Sequence, residues 1–138
     1  MPDTISVSTD KEKLDVVFIH NFISQTYWAK GRTLKEVQTA IDNSLNFGIY
    51  LADKQIGYAR AVTDYIQFAY LMDVFITTEH QKKGYSSVLM KHIINAKKLQ
   101  KIKTWRLQTT DAQYLYEKFG FKPLAFPDKM MERILPNL

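Results

Sequence analysis

The chain has 138 residues, a formal net charge of +5, 46% hydrophobic residues and no cysteine. That is one domain's length with apolar content for a single core, and it excludes disulfides, thiolate metal sites, a thiol nucleophile and a disordered polymer. No stretch approaches the ~20 apolar residues that cross a bilayer, and Met1 to Asp10 carries no secretion-signal pattern, so one cytoplasmic domain over residues 1–138 is expected.

Three capping-box patterns mark helix starts: Thr9 with Glu12, Thr33 with Glu36, and Thr110 with Gln113. Leu14, Val17, Phe18 and Phe22 recur at helical spacing after the first, and Leu34, Val37, Ile41 and Leu45 after the second. Between them, Thr26 to Arg32 reads as a loop carrying Tyr27 and Trp28. The period then becomes extended. Phe47 to Ala52 and Gln55 to Thr63 read as strands around a tight turn at Asp53-Lys54. Phe68 to Thr77 is an apolar run broken only by Asp73, as in a strand covered on both faces.

A polar turn and an amphipathic helix reaching Leu99 come next, with His92 at the rim of its apolar face. Trp105, Leu107 and Thr109 alternate as a further strand, and a short helix ends at Gly120. Phe121 to Phe126 and Lys129 to Ile134 read as two closing strands. This order predicts an α/β fold: a central twisted mixed sheet of about six to seven strands flanked by about four helices.

Chemistry concentrates after the long apolar strand, where Gln81-Lys82-Lys83-Gly84-Tyr85-Ser86 opens a helix. Unpaired N–H groups at a helix start, together with the helix dipole, make an anion cradle. Gly84, Ser86 and Ser87 permit close approach to the backbone there, and Lys82 and Lys83 add positive charge. The loop has neither the dinucleotide fingerprint nor the Walker pattern. The wider lysine cluster from Lys82 to Lys103 is compatible with a nucleic acid, a membrane, a phosphorylated cofactor or a plain solvated face.

Gln-x-x-Gly-x-Ser after Asp-Val-Phe-Ile resembles motif A of the GNAT superfamily of N-acetyltransferases, which binds the pyrophosphate of CoA. Ala112-Gln-Tyr-Leu-Tyr116-Glu-Lys-Phe-Gly-Phe121 resembles motif B, and with the helix–helix–hairpin prelude the likeness spans nearly the whole chain. Ser86 stands where the family places Gly or Ala, and Thr109 where many members carry an asparagine.

The resemblance implies acetyl-CoA as co-substrate and direct transfer to a primary amine, most simply of a small molecule. A protein or peptide acceptor, or a non-catalytic acyl-CoA-binding module, are the alternatives. It implies that Val74 and Ile76, flanking Phe75, hold the pantetheine arm through backbone groups, with the Val74 N–H polarising the thioester. Gln81, Lys82, Lys83, Gly84, Tyr85, Ser86 and Ser87 would hold the pyrophosphate. Tyr116 matches the tyrosine that protonates the leaving thiolate, although a core tyrosine shows the same helical spacing. Asp73 matches an acidic position facing the acceptor amine, as anchor, as base through water, or as a structural carboxylate. Tyr27 and Trp28 lie where relatives build the acceptor pocket. His20, His80 and His92 have no metal-ligand spacing, so no metal is expected. No membrane or nucleic-acid partner is implied, and relatives often pair two copies through their C-terminal strands.

Overall fold

Five strands pair in chain order: β1 (Ile5–Ser8), β2 (Leu45–Leu51), β3 (Lys54–Thr63), β4 (Phe68–Ile76) and β5 (Thr104–Arg106). The first four are antiparallel to their neighbours, and β5 joins β4 in parallel. The computed structural model describes residues 4–26 and 28–136. Four helices complete the fold: α1 (Val16–Ile23), α2 (Leu34–Asp42), α3 (Tyr85–Ile94) and α4 (Gln113–Glu117).

The core divides into two clusters. One joins Phe47, Ile49, Ile56, Leu71 and Ile76 of the sheet to Leu89, Met90 and Ile93 of α3 and to Leu115 and Tyr116 of α4. The other joins Ile19, Ile23, Val37 and Ile41 of α1 and α2 to Tyr58 and Phe75. Opposite side-chain directions along β4 feed the two, with Ile76 in the first and Phe75 in the second. No helix among the described residues is long and apolar enough to cross a membrane.

The mixed α/β architecture and the four helices agree with the sequence reading, and several boundaries differ. Thr33 and Glu36 form the expected capping box on α2. Thr9 does not cap a helix. The Asp10 carboxylate accepts from the Glu12 N–H over a 3₁₀ turn (Lys11–Lys13), and Asp15 caps α1 by accepting from the Phe18 N–H. Aspartates nearer each helix start win the competition. Likewise Thr109, not Thr110, accepts from the Ala112 N–H before α4. The hairpin turns at Ala52-Asp53, one residue earlier than expected, with Ala52 at φ 53°. Helix α3 stops at Ile94, and Leu99 is buried from a separate 3₁₀ turn (Lys97–Leu99).

The strand count is five among the described residues, not six or seven. Strand β1 was not foreseen, since four residues give too short a pattern to read. The predicted closing strands Phe121 to Phe126 and Lys129 to Ile134 are absent. Pro123 removes a ladder donor from the first, the 3₁₀ turn Pro127–Lys129 takes up the start of the second, and β5 is too short to template either. From Lys122 to Pro136 every residue is exposed, Met131 by 95% and Ile134 by 76%.

Candidate active site

The site begins with a fault in β4. Tyr58 of β3 pairs with Phe75, but Arg60 pairs with Met72, so Ala59 faces two residues, Asp73 and Val74. Asp73 takes the left-handed backbone at φ 53°, a conformation found at the first position of one bulge type. A bulge bends the strand that carries it. Pairing to β5 ends just before it: the last partners are Tyr70 and Arg106, and the predicted continuation through Leu107 to Thr109 is irregular. Beyond this point β4 has a strand on one side only.

The freed side can be identified from periodicity. The Thr77 N–H donates to the Ile56 carbonyl at 2.8 Å, so Thr77 and Phe75 direct their backbone groups to β3. Val74 and Ile76 therefore turn theirs toward the opened fork. Gln81 donates its side-chain amide to the Ile76 carbonyl at 2.9 Å, which ties the following loop to the strand end. Phe75 does not join them. Its ring stacks on Phe22 at 4.1 Å, inside the α1–α2 cluster.

The loop then reaches α3 through two left-handed residues, Lys82 at φ 64° and Gly84 at φ 83°. Gly84 is the N-cap residue, so no side chain caps α3, and a Cβ built on it meets nothing within 4 Å. Gln81 to Gly84 are exposed, and Tyr85, Ser86 and Ser87 are half-buried. Open space, uncapped N–H groups and two lysines fit a diphosphate and its linear tail lying from α3 into the fork. The other lysines do not gather there. Lys91, Lys97 and Lys98 line a separate cavity of about 520 Å³ at the far end of α3.

Across the fork, Tyr116 projects from α4 into a cavity of about 680 Å³ that also takes in Tyr70, Arg106, Leu107, Thr109 and Met131. Phe121 packs edge-on to its ring at 6.0 Å. Burial, with a smaller contribution from Tyr114, pushes the Tyr116 phenol up to about 12. The hydroxyl is therefore neutral across the physiological range.

Asp73 is paired with two arginines. Its Oδ2 accepts from Arg60 Nε at 2.7 Å and from Arg32 Nη1 at 2.8 Å, and the carboxylate side chain is 3% exposed. Arg60 Nη1 also donates to the Ser44 hydroxyl. Both arginines were missed. A single charge in the interior of each of two adjacent apolar strands was a usable signal for Arg60, whereas Arg32 lies 41 residues from Asp73 and had none. The Arg32 carbonyl is fixed in turn by a hydrogen bond from His20 Nε2–H at 2.9 Å. The loop between α1 and α2 is thus pinned to the bulge. Trp28 on that loop is part-exposed, and Tyr27 lies outside the described residues. No cluster of three potential metal ligands occurs among the described residues.

Comparison with known proteins gives three kinds of likeness. The model of the acetyltransferase (GNAT) domain matches residues 43–123. A crystal structure of a candidate acetyltransferase belonging to the GNAT family, from Xanthomonas campestris, is 45% identical, covers 96% of this chain and 94% of its own, and superposes with a TM-score of 0.93. A candidate acetyltransferase of Gibberella zeae is 28% identical over 81% of this chain and 75% of its own length. A candidate acetyltransferase from Clostridium acetobutylicum, solved with acetyl-CoA, shares the fold at a TM-score of 0.68 and 14% identity, each chain covered to 96%.

Proposed function

The chain belongs to the GNAT acetyltransferase family and is an acyltransferase, and we propose that it moves the acetyl group of acetyl-CoA directly onto a primary amine of a small molecule. The observation that carries this reading is the fork: β5 leaves β4 at Tyr70, and the freed edge leads to an uncapped helix start. Val74 and Ile76 hold the pantetheine arm, as a missing neighbour strand would. Lys82, Lys83, Gly84, Tyr85, Ser86 and Ser87 take the pyrophosphate, while Gln81 braces the loop through the Ile76 carbonyl. Acetyl-CoA supplies an activated acyl carbon and a thiolate leaving group.

The amine nitrogen attacks the thioester carbonyl carbon, forming a C–N bond as the C–S bond breaks. The Val74 N–H stabilises the charge that develops on the carbonyl oxygen. The amine loses one proton and the departing sulfur gains one. Tyr116, kept protonated by burial, donates to that sulfur and is restored by the proton from the amine. No nucleophilic side chain is required, in keeping with a chain that has no cysteine.

A small acceptor is favoured over a protein because Arg32 draws the α1–α2 loop, with Trp28, down onto the bulge. Trp28 supplies that wall of the acceptor pocket, and Asp73 anchors the amine. The exposed apolar side chains of residues 122–135 favour a homodimer formed through this segment, and the lack of cysteine favours the cytoplasm. The test is thiol release from acetyl-CoA across a panel of amines. Turnover with at least one amine, abolished by crowding the cradle with Gly84→Val, is expected. Full turnover in Gly84→Val would overturn the assignment of the cradle.

A further inference from the structure

Around the bulge, two guanidinium groups share one carboxylate. Neither Arg32 nor Arg60 makes a second contact ion pair among the described residues, although the exposed Glu36 carboxylate acts on Arg32 from farther off. Arg60 is shut in, its side chain 9% exposed, with Nε and Nη1 both committed. Arg32 is not. Its side chain is 20% exposed and meets Asp73 through Nη1 alone, so the remaining guanidinium edge is open to a ligand.

The same cluster holds an unmet acceptor. Asp73 Oδ1 is the one buried side-chain oxygen or nitrogen without a hydrogen-bond partner among the described residues. A buried charged oxygen left unpaired is costly, which makes it a site for a donor. It sits one residue before Val74, whose N–H faces the fork.

A single ligand can answer both needs. Resting on the acetyltransferase reading, we propose that the acceptor is an amino carboxylate: its amine donates to Asp73 Oδ1 while its carboxylate pairs with Arg32. A planar carboxylate suits the guanidinium edge, which can donate two parallel hydrogen bonds.

The test compares common L-amino acids with their primary carboxamides and with a polyamine, reading binding to the CoA-loaded protein by calorimetry and acetylation by thiol release. At least one amino acid should bind about tenfold or more tightly than its carboxamide, as expected when a paired carboxylate is lost. Arg32→Gln should bring that ratio near one while CoA affinity stays within about twofold, which excludes general unfolding as the cause. Equal binding of acid and amide to the unaltered protein, or preference for the polyamine, overturns the inference and leaves the acetyltransferase reading intact. Binding of CoA with no amino acid bound does the same. Failure of CoA itself to bind overturns both.

Discussion

Arg60 Nε meets Asp73 Oδ2 at 2.7 Å although the strand partner of Arg60 is Met72. The bulge produces this offset, placing two opposite charges side by side inside a sheet. An ion pair of this kind stabilises little relative to apolar residues, but removing one member strands the other. Asp73→Ala should therefore cost about 3–5 kcal/mol, read as a lower midpoint in urea unfolding. A change under about 1 kcal/mol would mean that the buried pair is far more hydrated than its geometry implies.

Gly84 tests the cradle separately from the fold. Its φ of 83° disfavours any side chain, and nothing crowds its Cβ position. Gly84→Ala should cost about 1 kcal/mol of stability through backbone strain alone. The larger effect should fall on CoA, whose phosphates need the backbone surface that the methyl group occupies. Calorimetry should show CoA affinity falling by about tenfold or more, on the scale of one lost charge-assisted contact.

Tyr116 should reveal itself at high pH. Its folded pKa, about 12, lies above the value near 10 of an unfolded tyrosine. The stabilisation this reflects is complete below about pH 10 and is lost as pH rises toward 12. Absorbance titration should show a late-ionising tyrosine that Tyr116→Phe removes. In the same variant kcat should fall by about 10²-fold with CoA affinity unchanged, and the unaltered enzyme should show no alkaline decline of kcat below about pH 10.

Gly57 guards the junction of β3 with the end of β4. A Cβ there would lie 2.5 Å from the Phe75 carbonyl oxygen and 2.8 Å from side-chain carbons of Ile49 and Ile76. Gly57→Ala should destabilise by about 1–3 kcal/mol, as overpacking does, and should weaken CoA binding because Ile76 is displaced. A thermal melt together with the CoA titration separates the two effects.

The C-terminal segment makes a concentration-dependent prediction. Ile134→Lys with Met131→Lys alters two side chains that are 76% and 95% exposed, so the fold of one copy should be unharmed. Sedimentation should show dimers for the unaltered protein and monomers for the double variant. Monomers in both would remove the homodimer.

Much of the site was readable because it follows the chain. The apolar run with one aspartate marked β4, the Gln81 to Ser86 pattern marked the start of α3, and Tyr116 lay at helical spacing before Gly120-Phe121. Pairings across long separations were not readable. Phe75 belongs to Phe22, and Arg32 to Asp73, through a folding of α1 and α2 over the sheet that no local period encodes. The closing strands failed for a related reason: alternation announces a strand, but only a neighbouring edge makes one, and prolines and a three-residue β5 left none.

The brevity of β5 has a mechanical corollary. Among the described residues, strand pairing between the chain's last third and the remainder consists of three rungs, from Phe68–Thr104 to Tyr70–Arg106, extended by the bond from the Lys103 N–H to the Ile66 carbonyl. A molecule laid along the vacant edge of β4 and touching Tyr116 would act as a splint across a weak joint. Its binding free energy then becomes cohesion, growing with the logarithm of its concentration, and amide protons on both banks of the cleft should slow their exchange together.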